Sequence, residues 1–334
     1  EMCIRDRLDA APLWLRRLRE RAHERFLELG LPHTRMEEWR RTNVDPIART
    51  AYEILGSGSR EAARARLDGS PLAGIPGPRV VLVNGRFDAE LSRAGEVAPG
   101  ILVESLAEAI AKRPERLEPV LGRLADSESR AFTALNTARF VDGAVVLADA
   151  NARLEEPLTV VNVTTGEARP GACFPRLLLA AEQGAELTLV EAYLGDDGER
   201  FDGAVVEIAL GPAARVTHYR VQDEGPTSYH VAELAARVDR DASYRSLNVC
   251  LGARLARNDL RGVLAGEGAE IALDGLYVIR DEQHVDNHTV LDHAAAHCPS
   301  HELYKGVLSG RARAVFNGRI IVREGAQKTN AIQS

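Results

Sequence analysis

The stretch that decides the fold runs from Asn151 to Val322, and four triplets within it carry the reading: Ala185-Glu186-Leu187, Ala214-Arg215-Val216, Ala242-Ser243-Tyr244 and Ala269-Glu270-Ile271. Each opens with alanine, continues with a polar residue and follows with an apolar or aromatic one. Ala152-Arg153-Leu154 and Ala312-Arg313-Ala314 extend the series, giving separations of 33, 29, 28, 27 and 43 residues. Polar-then-apolar alternation marks a strand with one buried face. Turn-forming runs separate the strands: Gly195-Asp196-Asp197-Gly198, Asp223-Glu224-Gly225-Pro226 and Gly266-Glu267-Gly268. A strand register that recurs in the high twenties predicts a β-solenoid, in which each coil buries its core against the next. Leu187, Val216, Tyr244 and Ile271 are then expected to share one core. Arg153, Glu186, Arg215, Ser243, Glu270 and Arg313 form the outward column.

Composition narrows the function classes. With 45% hydrophobic and 27% charged residues in 334, the chain has a globular balance and enough length for one large or two ordinary domains. The formal net charge of −7 and the lack of a basic run argue against nucleic-acid binding. Aliphatic runs such as Leu177-Leu178-Leu179-Ala180-Ala181 are too short for a bilayer, so no membrane partner is expected. No charged-then-apolar leader is visible, and Glu20, Glu24 and Glu28 in the arginine-rich start argue against a transit peptide. Cys3, Cys173, Cys250 and Cys298 are scattered without a C-x-x-C, which points to reduced thiols in a cytoplasmic protein. Glu1 to Arg7 fits none of the patterns, and Cys3 carries no weight.

Upstream of the repeat, Leu15, Leu18, Ala22, Phe26 and Leu29 lie at helical spacing, closed by Gly30 and Pro32. A turn then leads to a second short helix, with Trp39 as an anchor between helices. Gly56-Ser57-Gly58-Ser59 reads as a flexible break. Val80 to Phe87 reads as strand, turn, strand. Ser105 is placed to cap a helix carrying Leu106, Ala109 and Ile110. Further helical pieces hold Leu117, Val120, Leu121 and Leu124, and then Phe132 to Phe140.

The longest interval, from Ala269 to Ala312, holds the densest chemistry: His284, Asp286, His288, Asp292, His293, His297, Cys298 and His301. These are metal-ligand types, and His293 and His297 have the spacing of one helix face. Yet Ala294-Ala295-Ala296 stands between them where H-E-x-x-H needs its glutamate. The segment is expected to shape a polar corner or partner surface and to hold no structural metal, and no metal-ligating residue is assigned. His218, on the inward side of its strand, is expected as a hydrogen-bonded core histidine. Gly56-Ser57-Gly58 and Gly266-Glu267-Gly268 lack the third glycine of a dinucleotide loop, and neither a P-loop nor a nucleophile elbow occurs. No catalytic and no cofactor-binding residue is assigned.

Leu31-Pro32, Thr34-Arg35 and Glu37-Glu38-Trp39 resemble the signature near the start of the SufB/SufD family. His284-Val285-Asp286-Asn287-His288-Thr289 and Arg313-Ala314-Val315-Phe316-Asn317-Gly318-Arg319-Ile320-Ile321-Val322 resemble its core, on the SufD-like side. Phe132 to Ala138, Asp142-Gly143-Ala144 and Glu155-Glu156-Pro157-Leu158 resemble its entry into that core. The resemblance implies a mainly β fold: a right-handed parallel β-helix over 143–334, a mixed lead-in over 76–142 and a helical segment over 1–75. It implies a non-catalytic scaffold for iron–sulfur cluster assembly in the SUF system. In that role the chain pairs with a SufB-like subunit or with itself and acts with the SufC ATPase, the cluster being assembled transiently by the whole complex rather than held by this chain. In the family a further C-terminal segment holds SufC and a histidine implicated in cluster building; the sequence ends at Ser334 before it, so the expectation is a C-terminally truncated chain. A carbohydrate-active β-helix enzyme of the polysaccharide lyase or hydrolase type is the alternative, and a leucine-rich repeat lacks its L-x-x-L-x-L period.

Overall fold

The computed structural model describes residues 11–166 and 169–334; Glu1 to Arg7 lies outside them. Helices α1 (Leu13–Leu29), α2 (Asp45–Arg49), α3 (Arg60–Asp68), α4 (Leu106–Lys112), α5 (Pro114–Leu117) and α6 (Ala131–Arg139) all precede the long strands. Short strands β1 (Glu53–Ile54), β2 (Arg79–Val83), β3 (Arg86–Phe87), β4 (Gly95–Ala98) and β5 (Ile101–Ser105) are threaded among them. Then come β6 (Ala144–Ala148), β7 (Leu158–Thr164), β8 (Gly171–Cys173), β9 (Arg176–Ala181), β10 (Glu186–Gly195), β11 (Arg200–Leu210), β12 (Arg215–Asp223), β13 (Tyr229–Val238), β14 (Ser243–Cys250), β15 (Leu255–Leu264), β16 (Glu270–Ile279), β17 (His284–His293), β18 (Pro299–Leu308), β19 (Arg313–Val322) and β20 (Asn330–Gln333).

Successive long strands go to alternate sheets. The first sheet runs β19-β17-β15-β13-β11-β9-β6-β5-β4 and the second β20-β18-β16-β14-β12-β10-β7-β2-β3. Two strands and two turns make one coil, and about six coils stack as a parallel β-solenoid. The predicted inward column is in place: Leu187 pairs in register with Val216, Val216 with Tyr244 and Tyr244 with Ile271. All four are buried in one cluster with Val206, Leu234 and Leu260 of the opposite sheet.

The alanine repeat has a conformational cause. Asn151, Gly184, Ala213, Asp241 and Gly268 each adopt a left-handed backbone, at φ between 58° and 74°, directly before Ala152, Ala185, Ala214, Ala242 and Ala269. The reversal drives the next side chain inward beneath the stacked turns, where only a small one fits. The sixth member of the column is Cys298, which follows His297 at φ 60° and is fully buried. It was hidden because it is not alanine.

Ala312 therefore does not belong to the column. It precedes β19 in the first sheet, and Ala314 packs in a satellite cluster with Val285 instead of joining Ile271. Nor is His284 to His301 an insertion or corner. It holds two regular strands, β17 and β18, whose register with β15 and β16 is unbroken. His293 ends a strand and His297 lies in the following turn, so they share no helix face.

Upstream, α1 ends at Gly30, Asn84-Gly85 turns β2 into β3, and the Ser105 hydroxyl accepts from the Glu108 amide at the start of α4. The piece at Leu117 to Leu124 stops as a helix at Leu117 and continues as turns. Gly58 is no loose linker. A Cβ there would lie 2.5 Å from the Thr165 hydroxyl and 2.7 Å from Val83, and Ser59 caps α3. Trp39 sits in a short 3-10 turn, Glu37–Trp39, and anchors it to α6 through Phe132, 5.5 Å between ring centroids.

Candidate functional site

The outer face of the first sheet holds a concentrated polar docking site. Outward parity lines up Val231, Arg257 and Asp286 in one row, and Glu233, Asp259 and His288 in the next. The Arg257 guanidinium, fully buried, bridges Asp259 at 3.0 Å and Asp286 at 2.7 Å. It donates to the Glu38 carbonyl at 2.8 Å and lies 3.9 Å from the centroid of the Trp39 ring. Thr42 donates its hydroxyl to Asp286 and sits 3.0 Å from His284 Nε2, while His288 Nε2 is 3.0 Å from the other Asp286 oxygen. Arg130 reaches Glu233 at 3.2 Å and Asp259 at 3.3 Å.

Burial pushes the Asp286 carboxyl up, but His288, Arg257 and Thr42 outweigh it and hold the group below the usual carboxylate range. Asp259 is likewise held down against its burial by Arg257 and Arg130. Burial drives Glu233 the other way, with Arg130 opposing. Trp39 and His284 to Thr289, far apart in sequence, thus meet over one row of charges. A shallow cleft of about 300 Å³ opens beside them, lined by Arg130, Asp259 and His288 with Asn317 and Arg319 of β19.

A second polar region lies inside the solenoid. Glu191, fully buried, accepts from Arg220 Nε at 3.1 Å and from the Tyr193 hydroxyl, and sits 3.0 Å from His218 Nε2. His218 Nδ1 is 2.9 Å from the Tyr244 hydroxyl, the hydrogen-bonded core histidine expected from its parity. Burial would raise the Glu191 pKa, but Arg220 and His218 dominate and bring it down to about 2. Beside this group Asp202, Glu224 and His230 bring one ligand atom each to within 4.8 Å of one another. The five histidines singled out in the sequence do not converge. His284 and His288 face outward at Asp286, His293 Nε2 is 3.0 Å from Ser300 Oγ at the opposite end of the coil, and His297 and His301 lie on other surfaces.

Sequence reasoning missed Arg257, Asp259, Glu191 and Glu224. Glu224 was read as part of a turn, yet it continues the inward parity of Val216, His218, Arg220 and Gln222 and is buried. Counting parity through the turn would have found it.

The N-terminal docking segment and the core are each recognised as parts of one family. Residues 8–160 match the SufBD protein N-terminal region, and residues 162–334 match the SufBD core domain of the SUF system for FeS cluster assembly. The chain belongs to the SufBD family. It is 32% identical over 324 residues to an iron–sulfur cluster assembly SufBD family protein of Synechocystis, an alignment covering 94% of this chain and 71% of that protein. With the iron–sulfur cluster assembly protein SufD of Escherichia coli it shares 28% identity over 311 residues, covering 92% and 70%. With the chloroplastic protein ABCI7 of Arabidopsis thaliana it shares 24% over 343 residues, covering 99% and 70%. SufBD membership connects the chain with iron–sulfur cluster assembly. Among the described residues no helix is long and apolar enough to cross a membrane.

Proposed function

We propose that this SufBD chain is a non-catalytic, cytoplasmic scaffold subunit of the SUF machinery, pairing with a SufB-like subunit and acting with the SufC ATPase. What supports the reading is that both family regions are present in order and packed as one body. The N-terminal segment is fastened onto the core by Arg257, which joins Glu38, Trp39, Asp259 and Asp286. A rigid solenoid with a docked arm suits a part that positions other chains. The cluster under construction is cargo of the assembled complex in this reading, and no residue here is assigned to its chemistry.

The test is co-expression with an affinity-tagged SufB-like subunit, with and without SufC, followed by size-exclusion chromatography with light scattering. Equimolar co-elution with the SufB-like subunit and support of cluster transfer to an apo-ferredoxin only in the complete set are the expected results. Elution of this chain apart from a folded SufB-like subunit would overturn the pairing, and a self-paired species would take its place. Turnover by the isolated chain on a polygalacturonate panel would overturn the non-catalytic role.

A further inference from the structure

We propose that Asp202, Glu224 and His230 form a resident binding site for a first-row divalent metal ion of the zinc or ferrous type, built into the polar edge of the solenoid interior. The backbone sets the donors. Cys173, Asp202 and His230 are consecutive members of one inward column on β8, β11 and β13. Glu224 follows β12 and enters from the opposite sheet, with Gln222 Nε2 donating to its Oε2 at 2.7 Å. All three ligand groups are buried, and one atom of each lies within 4.8 Å of the other two. Metal–ligand bonds of about 2.0–2.2 Å put neighbouring ligand atoms about 3.0–3.5 Å apart. His230 Nδ1 and Glu224 Oε2 are already 3.0 Å apart.

The observation that points to a ligand is the imidazole. His230 is completely buried, yet its Nε2 has no hydrogen-bond partner and its Nδ1 meets only the Glu224 carboxylate, 3.0 Å away, without hydrogen-bond geometry. Buried polar groups are almost always satisfied, and an ion between His230 and the carboxylates would satisfy the ring. The supporting shell is present: Thr164 donates to Asp202 Oδ2 at 2.8 Å and the Cys173 thiol to Asp202 Oδ1 at 2.7 Å. Asp202 and Glu224 supply two carboxylates, which balance the two positive charges of M²⁺. Glu224 also lines a surface groove of about 700 Å³ whose walls carry Asp196, Asp223 and Asp281 alongside Arg66, Arg254 and Arg280. The imidazole beside two carboxylates selects a transition metal over Mg²⁺ or Ca²⁺.

This site goes beyond the scaffold role and does not rest on it. It stands apart from the His284–His301 run, and it departs from the expectation that the chain stably holds no cofactor of its own. The test titrates Co²⁺ into metal-depleted full chain under anaerobic conditions. The expected result is one tightly bound equivalent with visible d–d bands, displaced by Zn²⁺ and indifferent to millimolar Mg²⁺. Asp202→Asn, Glu224→Gln and His230→Gln should each weaken it at least 10-fold, while His301→Ala leaves it unchanged. X-ray absorption of the Zn²⁺-loaded parent gives a reading independent of variant folding: one imidazole with oxygen donors supports the site. No cobalt uptake, binding that survives His230→Gln in a folded variant, or a shell of several imidazoles would overturn it.

Discussion

The central coils of the solenoid enclose two chemistries at their two edges. Where second-sheet strands begin, Leu187, Val216 and Ile271 meet Val206, Leu234 and Leu260 in one apolar cluster. Where those strands end, the same inward parity delivers Glu191, Arg220, Asn248, Asp202, His230 and Asn258, all buried. The first edge is stabilised by area removed from water and answers mainly to volume. The second gains little from burial itself and loses several kcal/mol wherever one member of a network goes missing. Parity dictates which residues point inward. It does not dictate whether the inside is oily, and a polar edge kept at this cost is a place to look for function.

Four variants would break or sharpen that contrast. Ile271→Asp places an unpaired charge at the apolar edge and is expected to cost roughly 5 kcal/mol, read as loss of the cooperative urea transition; a variant that unfolds with the parent removes Ile271 from the core. Glu191→Ala at the polar edge strands Arg220 and His218 and should cost about 3–5 kcal/mol. The same variant tests the electrostatics. The folded pKa of Glu191, about 2, is depressed below that of the unfolded chain. Its stabilisation is therefore present above the unfolded value near 4.3 and lost as pH falls from there toward 2. The parent-minus-variant difference in urea midpoint should shrink across that window, and a constant difference would refute the ionised Glu191.

Leu273→Ala, a cavity at the fully buried apolar edge, is expected to cost about 2–3 kcal/mol, less than the loss of Glu191. The reverse order would mean that the polar network contributes little. Glu186→Ala removes only the exposed partner of Arg153, 3.3 Å away, and should change the melting free energy by less than about 0.5 kcal/mol.

How much was legible follows from which faces are wet. The later second-sheet strands are covered on one side only. Arg215, Tyr219 and Arg245 are exposed between buried Val216, His218, Arg220 and Tyr244, and that alternation revealed the core column. Over β9 and β11 the first sheet is buried on both faces, inside by the solenoid and outside by the helical segment that carries Trp39, Phe132 and α1. A doubly covered strand such as Arg200–Leu210 loses its alternation, so neither its parity nor the site it builds could be read. The docking of Trp39 on Arg257 joins residues 218 positions apart, which no local pattern encodes. The family signature drew attention to Trp39 and to His284–Thr289 but not to Arg257, and the contact came only from the structure.

The left-handed turn before each small residue has a consequence for how the chain can change length. Excising Ala214 to Asp241 removes 28 residues and joins Ala213 directly to Ala242, so a left-handed residue again precedes a small one. Leu187 then faces Tyr244 and every strand keeps its parity. Excising one residue more or fewer within a strand turns the side chains beyond it in that strand to the wrong face, whereas the turns absorb single residues, as coils of 29, 28 and 27 residues with one shared inward column show. Length can therefore change by a whole coil or by a residue in a turn, and not inside a strand. Even the loss of a whole coil has a chemical selection rule, because this one would set Glu191 against Asn248 and delete Arg220, His218, Glu224 and His230 together.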